Sequence, residues 1–163
     1  MATTPRGSYI NMVLDSTGRP HVATLHFGPS ATNGIQVYRL NDTGDGWDRV
    51  GGAAGLSDDA TVSPEAGYRE SSAFALSASD VPYVAYRGAN RQNKICVRRF
   101  NAATQSLDAV GVLGFSPGTG TSAEDDYISM AIRGETPIVA FRHGYSDPSV
   151  GSASELMVWG AVE

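Results

Sequence analysis

SSAFALSASDVPYVAYR, residues 71–87, alternates apolar and polar side chains, breaks at a polar turn and resumes its alternation after Pro82. The same frame recurs on either side of it. Residues 9–25 read YINMVLDSTGRPHVATL, and residues 127–142 read YISMAIRGETPIVAFR. Pro20, Pro82 and Pro137 follow one another at intervals of 62 and 55 residues, and each precedes a Val-Ala pair: Val22-Ala23, Val84-Ala85 and Val139-Ala140. A third alternating run comes next in every unit, over Gly34 to Leu40, Lys94 to Phe100 and Glu155 to Trp159. A fourth, Trp47 to Gly51, returns 60 residues later as Leu107 to Gly111, and the third unit stops before reaching it. Period-two alternation is the signature of strands, and the intervening Gly, Pro, Asn, Asp and Ser are turn formers. No stretch carries a helical period.

Each unit therefore holds four short strands, A to D, and a repeat of this length built from four strands has the arithmetic of a β-propeller blade. The expected fold is all-β: antiparallel four-stranded blades, about three propeller-type repeats, in a single repeat domain over 1–163. The units run approximately over 7–67, 68–123 and 124–163, the last lacking its fourth strand. The chain resembles β-propeller-type repeats of the pattern S-x-A-x-x-x-x-G-x-P-Y-V-A-Y followed by W-x-x-V-G. The likeness rests on Ala73 to Tyr86, Met130 to Phe141, Trp47 to Gly51 and Gly114-Phe115-Ser116. It implies a binding or scaffolding role at the cell surface or outside the cell, without defined catalytic residues. Asp42, Gly44 and Trp47 also fall on the Asp, Gly and aromatic positions of the Asp-box, S-x-D-x-G-x-T-W, of sialidase-like blades; Leu40 replaces its serine and Gly46 its threonine. In that family the box is a structural turn away from the active site. It marks a blade and leaves a sialidase-like glycoside-processing enzyme as the alternative reading.

Composition agrees with a strand-rich domain. The 163 residues include 19 glycines and 8 prolines, with 41% hydrophobic and 18% charged residues, which suits one folded domain of short strands and many turns. A net charge of −5 offers no basic field to a nucleic acid or an anionic membrane. No apolar run approaches the roughly 20 residues of a membrane-spanning helix, and Met1 to Ser8 does not resemble a signal peptide. Cys96 is the only cysteine, which excludes an internal disulfide, and its alternating surroundings read as strand core.

The tight connections lie between A and B (Asp15 to Arg19, Arg133 to Thr136) and between C and D (Asn41 to Gly46, Asn101 to Ser106). The long ones lie between B and C (His26 to Asn33, Gly88 to Asn93, His143 to Ser154) and between D and the next A (Gly52 to Glu70, Leu113 to Asp126). In a meander the long connections share one face, where binding residues are expected. Candidate ligand-binding residues there are His26, Phe27, Tyr68, Arg87, Arg142, His143 and Tyr145. Arg87 and Arg142 each end a strand B; converging, they would grip a carboxylate, sulfate or phosphate. The plainer role is to pair with Glu70, Glu124, Asp125 or Asp126 and tie blades together. Phe27, Tyr68 and Tyr145 would stack on a sugar or simply pack over the loops. Asp58-Asp59 and Asp125-Asp126 lack the spacing of a calcium loop and read as solvated turns. His21, His26 and His143 are too scattered for a metal site. No nucleophile or nucleotide motif occurs, so no catalytic residue, metal or cofactor is called for.

Three blades fall short of the four to eight that close a propeller. The expected remedies are a homo-oligomeric ring, with Ala2 to Arg6 donating the missing strand, a head-to-tail filament, or further blades of a larger propeller. Assembly by strand exchange is the favoured expectation, with a glycan as the candidate ligand.

Overall fold

The computed structural model describes residues 8–26, 34–51, 72–88, 94–117, 124–147 and 151–160. They form three antiparallel sheets and, among the described residues, no helix. Sheet 1 is β1 (Ser8–Leu14), β2 (Pro20–His26), β3 (Gly34–Leu40) and β4 (Trp47–Val50), hydrogen-bonded in chain order. Sheet 2 repeats this with β5 (Ser72–Leu76), β6 (Pro82–Gly88), β7 (Lys94–Asn101) and β8 (Ser106–Ala109). Sheet 3 has three strands, β9 (Glu124–Arg133), β10 (Thr136–Asp147) and β11 (Gly151–Gly160). The four-strand meander expected of units one and two, and the three strands of unit three, are all present. Among the described residues the three sheets do not close a ring.

Strand register shows how the repeat makes a core. Val22, Val84 and Val139 stand opposite Tyr38, Arg98 and Trp159; Ala23, Ala85 and Ala140 stand opposite Val37, Val97 and Val158. Successive side chains point to opposite faces, so each sheet has a leading face, carrying the valine of the pair, and a trailing face, carrying the alanine. The trailing face of sheet 1, with Ala23, Ile35 and Val37, packs on the leading face of sheet 2, with Phe74, Val84, Tyr86, Cys96 and Leu107. The trailing face of sheet 2, with Ala73, Tyr83, Ala85, Ile95 and Val97, packs in the same way on Ile128, Val139 and Phe141 of sheet 3. Small alanines opposite bulky partners let neighbouring sheets interdigitate. Sheet 2 is thus covered on both sides, and Cys96 is fully buried within the first interface.

The first strands lie next to one another, β1 against β5 and β5 against β9. Their A-to-B turns are stapled together. Ser16 donates from its backbone N–H to Asp80 Oδ1 (2.8 Å) and from its hydroxyl to Oδ2 (2.6 Å). The next step uses Ala78 N–H to the Gly134 carbonyl (3.3 Å) and the Tyr83 hydroxyl to the Glu135 carbonyl (2.9 Å). Asn11 adds a bond from its side-chain amide to Ser72 Oγ (2.9 Å). Neighbouring sheets are thus tied at their tight turns and along their first strands.

Unit three departs from the sequence reading. The span His143 to Ser154 is not a long loop: β10 continues to Asp147 and β11 begins at Gly151, with an unbroken ladder from Ile138↔Gly160 to Asp147↔Gly151. His143 and Tyr145 are consequently strand residues. Glu124, Asp125 and Asp126 likewise belong to β9 rather than to the D-to-A loop. A β-bulge makes this possible. Ala140 pairs with Ser129 but Arg142 pairs with Asp126, so Tyr127 and Ile128 together oppose Phe141, and Tyr127 takes a positive φ of 51°.

Candidate functional site

A buried group of polar side chains lies at the bulge. Asp125 and Asp126 are both buried, which corrects their reading as a solvated turn. Each has a basic partner directly across the ladder. Arg142 grips Asp126 through Nε to Oδ1 (2.6 Å) and Nη2 to Oδ2 (2.6 Å), a two-pronged charge-assisted pair. Its guanidinium also lies 5.1 Å from the centre of the exposed Tyr127 ring. On the opposite face His143 Nδ1 meets Asp125 Oδ1 at 2.5 Å. The Ser116 hydroxyl donates to the other oxygen of Asp125 and accepts from the Ile95 backbone N–H (3.0 Å). Serine, aspartate and histidine are here in the wrong order for nucleophilic catalysis, since the serine proton goes to the carboxylate and not to the imidazole. The chain of bonds instead fastens the segment after β8 to sheet 3.

Among the described candidate residues, Arg87 and Arg142 do not converge. Arg87 follows Ala85 by two residues and shares the trailing face of sheet 2, whereas Arg142 is on the trailing face of sheet 3, so sheet 3 stands between them. Arg87 forms no ion pair among the described residues. The expectation that Arg142 pairs with an acidic residue is met by Asp126, but within one sheet and not between sheets. His26 ends β2 and Tyr145 lies in β10; their side chains, and all of Phe27, Tyr68, Asp58, Asp59 and Ala2 to Arg6, fall outside the described residues.

Asn41 to Gly46 is the expected tight turn. Asn41 and Asp45 hold it: the Asn41 amide donates to Asp45 Oδ1 (2.9 Å), and Asn41 Oδ1 accepts from the N–H groups of Asp45 and Gly46 (3.2 and 3.3 Å). The Thr43 hydroxyl and the Asn41 amide keep the Asp45 carboxyl below its ordinary pKa. Gly44 has φ +73°, which explains a glycine there. Asp42 points outward to Arg19 (2.7 Å), and Trp47 opens β4. Asp15 organises the first A-to-B turn. Its carboxyl is held well below the usual range, first by the Thr17 hydroxyl and then by the backbone N–H of Arg19. His21 Nε2 lies 3.2 Å from Asp15 Oδ2, and its buried Nδ1 has no hydrogen-bond partner among the described residues. Burial pushes the His21 pKa down, outweighing the upward pull of Asp15.

An open cleft of about 820 Å³ follows the outer end of the sheet 2–sheet 3 junction, lined among others by Lys94, Arg99, Gly111, Phe115 and Trp159. Sequence reasoning missed it, since its walls come from the segment after β8 and from β11. Phe115 stacks on Trp159 with ring centres 4.1 Å apart, and Gly111 backs the indole. Among the described residues, no group of three or more His, Cys, Asp or Glu side chains could hold a metal ion.

No family model matches the chain, and no curated protein does. Among solved structures it is similar to a protein of unknown function from Dyadobacter fermentans DSM 18053, at 13% identity and a TM-score of 0.43. The match covers 90% of this chain and 36% of that one, so the chain spans about a third of its length.

Proposed function

We propose that the protein is a non-catalytic binding or structural module of β-propeller type that completes its arc of blades by assembling with further blades. One observation carries the reading. Leu156 and Val158 are 76% and 66% exposed on the trailing face of sheet 3, at the register positions where Ile35 and Val37, and again Ile95 and Val97, are buried by the next sheet. Contiguous exposed apolar surface at such positions marks an interaction face. The resemblance to surface-exposed propeller repeats supports an extracellular or cell-surface setting and a glycan as ligand. The glycoside-processing alternative needs converging arginines, and Arg87 and Arg142 stand on opposite sides of sheet 3. Light scattering of the purified protein at micromolar concentration tests assembly: the expected mass exceeds the 17.1 kDa of one chain. Incubation with aryl glycosides is expected to release no aryl alcohol. A monodisperse single chain that cleaves them would overturn both halves of the reading.

A further inference from the structure

The trailing face of sheet 3 has a counterpart at the other end of the molecule. On the leading face of sheet 1, Met12 and Leu14 stand opposite Val22 and Pro20. Their register equivalents are Phe74 and Leu76 in sheet 2, opposite Val84 and Pro82, and Met130 and Ile132 in sheet 3, opposite Val139 and Pro137. All four equivalents belong to the two inter-sheet cores. Met12 and Leu14 are instead 64% and 59% exposed, with Ile10 exposed beside them. Farther out on this face Val22, Thr24 and Tyr38 are already buried, Tyr38 under the Arg49 guanidinium, which leaves the strip along β1 as the open part.

We infer that the trailing face of sheet 3 receives the leading face of sheet 1 from a second copy of this chain, head to tail. This rests on the assembly reading above and names its partner. The two inter-sheet contacts inside the chain supply the rule: an alanine in the second strand and aliphatic residues in the third meet a bulky pair from the first and second strands of the next sheet. Ala140, Leu156 and Val158 reproduce the first half of that rule, and Met12, Leu14 and Val22 the second. The new contact thus continues an interface already used twice. Because the two surfaces differ, the contact is heterologous: it either closes into a ring or propagates.

Cysteine pairing tests which faces meet. Ser129 is the register equivalent of Ala73, which shares the second core with Met130, the equivalent of Met12. Ser129 and Met12 are both exposed, so Ser129→Cys and Met12→Cys leave the fold intact, and fully buried Cys96 does not compete. An equimolar mixture of the two variants, mildly oxidised, is expected to give a mixed disulfide at twice the 17.1 kDa chain mass, with neither variant alone yielding it. Self-linked Ser129→Cys or Met12→Cys dimers as the main product would overturn the head-to-tail contact while leaving assembly standing. A light-scattering mass of one chain for the unmodified protein would overturn both.

Discussion

Val97 in sheet 2 and Val158 in sheet 3 occupy the same place in the repeat, each opposite the alanine of a Val-Ala pair, yet one is fully buried and the other largely exposed. The residue type, strand and register agree. What differs is the presence, among the described residues, of a next sheet. On the proposed assembly reading the repeat encodes an interface at every step, and the middle sheet is the pattern for the two outer faces.

Substitutions that separate covered from uncovered positions should break this contrast most sharply. Phe141→Ala empties a buried site between sheets 2 and 3, and a loss of about 3–5 kcal/mol is expected in urea unfolding. Val158→Ala, by contrast, should fall within about 0.5 kcal/mol for the unassembled chain. Asp125→Ala comes next, because it removes one hydrogen-bond partner each from buried Ser116 and His143; a loss of about 1–3 kcal/mol is expected by the same measurement. Gly111→Ala should lose about 1 kcal/mol, read as a lowered Tm. The position has φ +67°, and an added Cβ would stand 3.3 Å from Trp159 Cζ2.

The smallest effect is a pH slope. The folded His21 pKa lies below its ordinary 6.5, so neutral His21 favours the fold above that pH. As pH falls from about 7 towards 5, the unfolded chain takes the proton first and stability declines. In His21→Asn that part of the slope should vanish. An unchanged slope would mean that the buried imidazole does not resist protonation.

The strands were legible because period-two alternation and the recurring Pro-x-Val-Ala frame act locally. The bulge was not. Gly144, Ser146 and Asp147 have the composition of a loop, and nothing within residues 143–154 announces a strand whose order comes from its neighbour's backbone. Asp125-Asp126 looked solvated because paired carboxylates usually are; their burial depends on Arg142 and His143 arriving across the ladder. The inter-sheet staples were similarly hidden, since the bond from Ser16 to Asp80 joins turns 64 residues apart. As for the candidate site, the sequence reading coupled Arg142 with Arg87 at the ends of two second strands and set His143 in a nearby loop. It did not show that Arg142 and His143 face opposite sides of one sheet.

Sedimentation equilibrium of the wild type beside a Leu156→Glu, Val158→Glu double variant tests the central claim, that the exposed trailing face of sheet 3 is an interface. Both positions are exposed in the single chain, so the variant should fold normally. The account predicts a wild type heavier than 17.1 kDa and a variant that sediments as one chain. Equal masses for the two proteins would contradict it.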